Sequence, residues 1–193
     1  FAGGTEFFMI LRQSFFRRPV LKVAPELLGK FLVRRYRGRE IAGMITEVEA
    51  YDGPNDFASH ASRGMTERNK IMFGEAGYFY VYLCYGMHWM LNIVTGEEGY
   101  PAAVLIRGVF ILDQGGPSTS LREYRRVSGP GKVTKFLKID NKLNGKAAMP
   151  ENGLWFENRG IIVPKSKIER TSRIGVHYAK EWAEKPYRFR IKN

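Results

Sequence analysis

The chain has 193 residues, 44% of them hydrophobic and 26% charged, which suits one folded domain with a sizeable core. Its 31 Lys and Arg against 19 Asp and Glu give a net charge of +12, which suggests a polyanionic partner, although a scattered, solvated positive surface would give the same total. No apolar run reaches the roughly 18 residues of a spanning helix, and no long basic amphipathic helix is present, so we expect no membrane partner.

Cysteine and histidine usage narrows the chemistry further. Cys84 is the only cysteine, so no intrachain disulfide can form, and we expect an intracellular setting: cytoplasm and nucleoid in a bacterium, the nucleus in a eukaryote. Neither a CxxC pair nor an HExxH motif occurs, so we expect no metal site. Residues 1–8 precede an internal Met9 and are interpreted as an added or disordered lead, and residues 9–193 as one domain.

The predicted elements form a mixed α+β pattern. Pro25 suits a first helical position, and Arg37-Gly38-Arg39 suits a turn between two strands. Helices are predicted at Ala24–Gly29, near Glu67–Phe73, near Ser118–Arg126 and at Lys132–Leu137. Strands are predicted at Phe31–Tyr36, Ile41–Tyr51, Tyr78–Cys84, His88–Val94, Ala102–Leu112, Leu154–Glu157 and Arg188–Ile191.

Two of these strands pair across Tyr85-Gly86 as a β-hairpin. Their alternation puts Tyr78, Tyr80 and Tyr82 on one face and Phe79, Val81 and Leu83 on the other. Asn92 is a polar residue in an otherwise apolar strand. Tyr85 stands at the tip, where water does not favour an aromatic ring unless a partner receives it.

A second signal is the run "ITEVEAY". A side-chain period of two places Ile45, Glu47, Glu49 and Tyr51 on one face of a strand. His60 follows in a polar loop, and a carboxylate, a tyrosine and a histidine could form a general acid–base cluster. A solvated polar face is the alternative interpretation. In "SGPGKVTKFL", the residues Gly131 and Lys132 begin a helix whose N–H groups suit a phosphate, although a simple turn has the same composition.

Five blocks of the sequence together resemble a known family, the alkyladenine (3-methyladenine) DNA glycosylases. They follow the family's order and span about 19–191. The blocks are "EVEAYDGPNDFASHASRGMTERN", "YVYLCYGMHWMLN", "AAVLIRG", "SGPGKVTKFL" and "RIGVHYAKEWAEKPYRF". The resemblance implies a compact single α+β domain around a curved antiparallel sheet, with flanking helices and a hairpin that protrudes into DNA.

The resemblance also implies the catalytic roles and the base pocket. Glu49 matches the general base that activates the attacking water, and Arg107 matches the basic residue that helps to position it. The walls of the pocket for the extruded base are matched by Tyr51, His60 and Tyr82. Positions that depart from the family pattern, such as Phe57 and Glu67 near His60, remove no proposed catalytic residue.

Contacts with DNA are implied at three further places. Tyr85 matches the residue that fills the vacated place in the duplex, and Asn92 matches a pocket residue that obstructs the exocyclic amine of guanine. We expect Gly131 and Lys132 to contact the DNA backbone. The implied activity is hydrolysis of the N-glycosyl bonds of damaged purines in double-stranded DNA, without a cofactor. Because the resemblance assigns no lysine or N-terminal amine as a Schiff-base nucleophile, we expect a monofunctional enzyme that leaves an abasic site. We expect a monomer, since a base-flipping enzyme of this size needs no symmetry.

Two rival interpretations stay open at this stage. One is a nucleic-acid-binding module on the same fold without catalysis, in which Glu49 is a surface carboxylate. The other is a metal-dependent nuclease that uses Glu47, Glu49 and Asp56.

Overall fold

The protein is an α+β domain built around one large antiparallel sheet. The computed structural model describes residues 8–112 and 124–192. Within these ranges ten strands form the sheet, and every recorded pairing is antiparallel. The strands are β1 (Met9–Ile10), β2 (Phe31–Tyr36), β3 (Arg39–Asp52), β4 (Phe79–Cys84), β5 (His88–Thr95), β6 (Ala102–Leu112), β7 (Tyr124–Ser128), β8 (Leu154–Asn158), β9 (Ile168–Thr171) and β10 (Arg188–Ile191).

Short helices surround this sheet. The α-helices are α1 (Gln13–Phe16), α2 (Val20–Leu27) and α3 (Pro130–Phe136). The 3-10 helices span His60–Arg63, Lys70–Phe73, Asn141–Leu143, Pro150–Asn152, Lys165–Lys167 and His177–Ala183. These elements confirm the predicted single α+β domain. No helix in the described ranges is both long enough and apolar enough to cross a membrane.

The long strand β3 organises the sheet. The strand order is β1-β8-β2-β3-β6-β5-β4, with β7 beside β6 and β10 beside both β3 and β9. Over its 14 residues β3 pairs with β6 along one edge, and with β2 and then β10 along the other. Its second half carries the predicted general base Glu49, which is paired with β10 on one side and with β6 on the other.

The two faces of the sheet have different roles. The main core lies on one face, where α2 and α3 pack on apolar side chains that alternate along the strands. These include Val48, Ala50, Phe79, Val81, Leu91, Ile93, Val104 and Ile106. The residues between them in the sequence point to the opposite face, as the period of two requires. The predicted alternation is confirmed from Phe79 to Tyr82, whereas Leu83 is exposed and lines the cavity beside Tyr82 near the end of the hairpin.

The predicted strand face of Ile45, Glu47, Glu49 and Tyr51 is wrong at its first residue. Ile45 lies in the main core with Val48, not on the face of Glu47 and Glu49. The register between β3 and β6 shifts on either side of Glu47, and this β-bulge inserts an extra residue that reverses the alternation. Gly108 lies opposite the bulge, where a Cβ would come within 3.0 Å of the Glu47 Cβ. A side chain at position 108 would therefore disturb the bulge.

The helix predicted near Ser118–Arg126 is also wrong where it can be compared. Residues 118–123 lie outside the described ranges, but Arg125 and Arg126 belong to β7, which pairs with Ile111 and Phe110 of β6. At these residues, pairing with a neighbouring strand thus outweighs the helical pattern of the local sequence. Likewise, α2 begins at Val20 after Pro19, so Pro25 lies inside the helix and not at its first position.

The lead proposed at residues 1–8 is described only at its last residue. Residues 1–7 lie outside the described ranges, and the Phe8 ring lies 4.3 Å from the guanidinium carbon of Arg159.

Candidate active site

A cavity of about 710 Å³ lies on the face of the sheet opposite the main core. Its wall includes six of the predicted site residues, one of them at the hairpin tip: Tyr51, His60, Tyr82, Tyr85, Asn92 and Arg107. Ligand pockets typically measure about 300–1,000 Å³, so the cavity has room for a purine nucleoside. The structure therefore brings together residues that are up to 56 positions apart, from Tyr51 to Arg107.

Sheet register explains why these residues meet. Glu49 of β3 pairs with Leu105 of β6, Leu105 pairs with Asn92 of β5, and Asn92 pairs with Tyr80 of β4. Neighbouring strands are about 4.8 Å apart, so one row of side chains crosses four strands on the cavity face. Tyr82 and Arg107 lie two residues further along their strands and share this face.

Glu49 is fully buried, with 0% of its surface exposed. The Ile174 N–H donates to its Oε1 over 2.8 Å, whereas the Tyr51 hydroxyl and Arg107 Nη1 donate to its Oε2 over 3.0 and 3.3 Å. All three donors belong to residues of the cavity wall, and Glu49 lies directly behind that wall. Oε1 accepts one bond in this set, so a lone pair remains for a further donor.

Arg107 joins two carboxylates. Its Nε donates to Glu47 Oε1 over 3.1 Å, while Arg188 Nε donates to the same oxygen over 2.8 Å. Burial alone would raise the pKa of Glu47, but the hydrogen bonds and charges of Arg188 and Arg107 outweigh it and lower the pKa. Glu47 therefore stays ionised and anchors the guanidinium of Arg107 beside Glu49.

The balance at Glu49 is the opposite. Burial is the largest influence and raises the pKa of Glu49 above its ordinary value, although the charge of Arg107 and the bonds from Ile174 and Tyr51 oppose it. Burial, with the charge of Glu49 next, also raises the pKa of Tyr51 well above its ordinary value, so this hydroxyl is protonated and donates. A basic carboxylate with fixed donors is suited to accepting a proton.

Three aromatic rings form one wall of the cavity. The His60 ring lies 4.6 Å from that of Tyr82, Tyr82 lies 5.1 Å from Tyr80, and His60 Nδ1 lies 3.0 Å from the Tyr80 hydroxyl. Desolvation, and then the charge of Arg68, lowers the pKa of His60, so the imidazole is neutral at pH 7. Burial raises the pKa of Tyr80 to about 12. The wall is therefore aromatic and uncharged.

Asn92 is buried beside this wall. Its Nδ2 donates to the Tyr80 carbonyl oxygen over 3.1 Å, across the register pair that joins β5 to β4. This bond fixes the amide, so Asn92 presents a rigid polar group to the cavity.

The hairpin ends in an exposed apolar tip. Cys84 pairs with His88, so the loop comprises Tyr85, Gly86 and Met87, one residue more than the predicted two. Tyr85 is 90% exposed with φ +51°, and Met87 is 70% exposed. A left-handed conformation at a non-glycine residue costs about 1–3 kcal/mol.

The predicted backbone-contact residues lie next to the cavity without lining it. Gly131 packs against His88, since a Cβ at Gly131 would come within 3.0 Å of the His88 ring. Lys132 is exposed, and the preceding Pro130 forms part of the cavity wall.

Several residues of the site were not predicted from the sequence. Tyr80 and Ile174 contact Asn92 and Glu49 as described, and the guanidinium of Arg68 lies 5.2 Å from the Tyr82 ring centroid. Arg173 lies 4.9 Å from the Tyr51 ring centroid. Arg173 and Ile174 fall within the last block quoted above, but more than 120 residues separate them from Glu49, so no local spacing links them.

The carboxylates of the nuclease interpretation are already paired with arginines. Asp56 binds Arg173, and Glu47 binds Arg107 and Arg188. Across the described ranges no group of three or more His, Cys, Asp or Glu side chains is placed to hold a metal ion.

The cavity has an aromatic wall, and a carboxylate of raised pKa lies behind that wall on a chain of net charge +12. These features suit an enzyme that acts on a nucleobase. Comparisons with known proteins agree. The family model for methylpurine-DNA glycosylase (MPG) matches residues 14–193. The chain therefore belongs to the methylpurine-DNA glycosylase family, and it is a DNA glycosylase, an enzyme of DNA repair.

Relatives match over nearly the whole chain. A protein of Methanocella arvoryzae, provisionally named 3-methyladenine DNA glycosylase, is 46% identical over 189 residues, which cover 95% of this chain and 93% of its own. A Legionella pneumophila (strain Corby) protein with the same name is 44% identical over 183 residues, covering 95% and 94%. A third, from Carboxydothermus hydrogenoformans, is 44% identical over 193 residues, covering 96% of each chain.

Proposed function

We propose that this chain flips damaged purines out of duplex DNA and hydrolyses their N-glycosidic bond with a water activated by Glu49. The substrates are alkylated adenine and, as further candidates, hypoxanthine and ethenoadenine. One observation carries the proposal: the buried Glu49 carboxylate lies directly behind the wall of an aromatic cavity and is bonded to Tyr51 and Arg107 of that wall. The product is an abasic site.

The cavity wall supports binding of an alkylated base. A purine alkylated on a ring nitrogen carries positive charge, and a cation against an aromatic face gains about 2 kcal/mol when desolvated. Tyr51 and Tyr82 supply such faces, and the neutral His60 adds no repelling charge. Extrusion of the base costs a few kcal/mol, which stacking of about 1–3 kcal/mol per base offsets.

The chemical step needs few groups. The positive charge makes the alkylated base a good leaving group, and the electron pair of the breaking bond goes to its ring nitrogen. A water oxygen forms the new bond to the anomeric carbon, and its proton passes to Glu49. An ionised carboxylate also stabilises the oxocarbenium-like sugar, and Arg107 helps to hold the water.

The proposal includes the way in which DNA is held. Tyr85 fills the place that the base vacates, as aromatic wedges do from the minor groove. Gly131 and Lys132 contact the backbone. The high exposure of Tyr85 and of Lys132 supports both roles. The enzyme acts as a monomer without a cofactor. The resemblance to the family assigns no lysine as a Schiff-base nucleophile, so the enzyme does not cleave the strand.

The decisive experiment is single-turnover release of free base from duplex oligonucleotides that contain hypoxanthine, ethenoadenine or 3-methyladenine. We expect base release in the presence of EDTA, with strand breakage only after alkali treatment. Binding without release would favour the non-catalytic module. Strand scission that EDTA abolishes would favour the metal-dependent nuclease.

The pH dependence of base release tests the ionised state of Glu49. Because burial raises its pKa above 4.5, the rate should fall as the pH is lowered through a midpoint above that value. The lesion used is 7-methylguanine, which is already positively charged across the acid range, so protonation of the base does not contribute to the fall in rate there. The measurement is the single-turnover rate constant from pH 4.5 to 8, and a rate independent of pH throughout would contradict the assignment.

Replacement of Asn92 tests discrimination between purines. Asn92→Ala should raise the release of guanine relative to hypoxanthine by about tenfold, since these bases differ by the exocyclic amine that Asn92 is expected to obstruct. The measurement is the ratio of their single-turnover rates. Asn152→Ala is a matched control, because Asn152 Nδ2 also donates to a backbone carbonyl, that of Ala147, away from the cavity. An unchanged ratio would exclude this role.

A further inference from the structure

A buried ion pair between Asp56 and Arg173 lies next to the machinery described above. Neither side chain has solvent exposure, and the guanidinium binds the carboxylate through two parallel bonds, Nη1 to Oδ2 and Nη2 to Oδ1, the latter over 2.8 Å. Arg173 also donates to the carbonyl oxygens of Ala50 and Trp182 over 2.9 and 3.1 Å. Its Nε has no hydrogen-bond partner among the described residues.

Stability alone does not account for such a pair. Removing two charges from water costs several kcal/mol per ion. Well-packed apolar residues in place of a buried ion pair often leave the stability of the fold unchanged or increase it. The unpaired Nε adds a further cost, because a buried polar atom without a partner loses its hydration. The location of the pair supplies a different reason for it.

Arg173 lies beside two of the three residues that donate hydrogen bonds to Glu49. The next residue, Ile174, donates its N–H to Glu49 Oε1, and the Arg173 guanidinium lies 4.9 Å from the ring of Tyr51, whose hydroxyl donates to Oε2. The carbonyl of Ala50, bound by Arg173, belongs to the residue between Glu49 and Tyr51. Two of the three donors to the carboxylate thus lie next to Arg173, one in sequence and one in contact with its guanidinium.

Asp56 extends the same connection to the cavity wall. Its Oδ2 accepts from the Asp52 N–H over 3.0 Å, and its Oδ1 accepts from the Ala58 N–H over 3.1 Å. Ala58 is part of the wall, two residues before His60. The pair therefore joins the end of β3, the loop before His60 and the segment that begins at Arg173.

We propose that Arg173 and Asp56 are positioning residues that orient the Glu49 carboxylate and keep it ionised for attack. The inference rests on the proposed function, since it assumes that Glu49 is the general base. Neither residue touches the reacting atoms. They act through Ile174 and Tyr51.

The charges around Glu49 fix the expected sign of the effect. Glu49 is faced by Arg107 from β6, Tyr51 from its own strand, Tyr82 from β4 and Arg173 from the segment after β9. The nearby carboxylates, Glu47 and Asp56, each pair with an arginine. Loss of the Arg173 charge would leave Asp56 unpaired and favour protonated Glu49, so the acid limb of the rate profile would move to higher pH.

The experiment compares Arg173→Gln, which removes the charge, with Arg173→Lys, which keeps it but cannot make the bidentate bond. Single-turnover release of 7-methylguanine is measured from pH 4.5 to 8 with saturating protein, together with affinity for the damaged duplex. Misplaced catalytic groups can cost about 10²-fold, so we expect a loss of that size for Arg173→Gln, with its acid limb at higher pH. Arg173→Lys should be slowed with its acid limb unmoved.

The control is Arg170→Gln, because Arg170 is exposed and lies against Phe189, so its rate should match the wild type. If Arg173→Gln does not fold, the rate and affinity of Arg173→Lys decide. Folded Arg173 variants with wild-type rates, or with equal losses of rate and affinity and unmoved acid limbs, would overturn the inference. A wild-type protein that releases no base would overturn the proposed function, and with it this inference.

Discussion

Replacement of Glu49 by Gln should nearly abolish base release while the protein stays folded and binds damaged DNA. Gln has the same shape but cannot accept the proton of the attacking water, and general base catalysis typically contributes about 10²–10⁴-fold. With its oxygen in the place of Oε1, the amide would keep the bond from Ile174, lose the bond from Arg107 and donate to the Tyr51 hydroxyl oxygen instead of accepting from it. This loss is offset because a buried charge is also removed. The measurements are single-turnover release, affinity for the damaged duplex and thermal unfolding.

A matched control lies on the same strand. Glu40→Gln changes an exposed carboxylate of β3 that pairs with Arg35, remote from the cavity, and should leave the rate of release unchanged. Base release by Glu49→Gln at a rate comparable to the wild type would remove Glu49 from the mechanism. A variant that melts far below the wild type would show instead that the hydrogen bonds of Glu49 support the fold.

Replacement of Tyr85 by Ser should weaken capture of damaged duplex without destabilising the protein. The side chain is 90% exposed and therefore contributes little to folding. In the complex its ring would stack in the gap left by the base, and stacking is worth about 1–3 kcal/mol, or roughly 5- to 150-fold in affinity. The measurements are the affinities for damaged and undamaged duplexes and the melting temperature. We expect the larger loss on the damaged duplex.

A control substitution at a second exposed apolar residue distinguishes a loss of stacking from a general effect of removing apolar surface. Ile162 is 85% exposed and is not part of the cavity wall, so Ile162→Ser should leave capture unchanged. If Tyr85→Ser bound damaged duplex as tightly as the wild type, the wedge role would be lost. A drop in melting temperature without a drop in affinity would assign the ring to the folded protein instead.

Regular alternation made much of the sheet predictable. Tyr80 and Tyr82 face the cavity and Phe79 and Val81 face the core, as the period of two requires. Ala102–Leu112 is a strand with the predicted bounds. In each case the pattern and the burial of the strand depend on the same local repeat, so a short window of sequence contains the information.

The errors arise where distant partners decide. The bulge at Glu47 depends on β6, which follows more than 50 residues later, and it moved Ile45 to the core. Arg125 and Arg126 form a strand because β6 offers an edge, although their neighbourhood reads as a helix. Local propensity is a weak prior wherever such pairing competes with it.

The candidate site was predictable only in part, for the same reason. The resemblance to a family identified Glu49, Arg107 and the aromatic wall, and the sheet register explains how they meet. It assigned no role to Arg173 or Asp56, because their importance lies in bonds to backbone atoms of Ala50, Asp52 and Ala58. Backbone acceptors and donors leave no trace in the identity of their residues.

The position of Glu49 between two partner strands has a consequence for local opening. At its register β3 is hydrogen-bonded to Arg188 of β10 on one side and to Leu105 of β6 on the other. Amide protons in such a strand exchange with solvent only in rare, near-global unfolding events, whereas those of a hairpin tip exchange readily. The reaction would thus be carried out by the slowest-exchanging part of the protein, while the part that first probes the duplex is among the fastest.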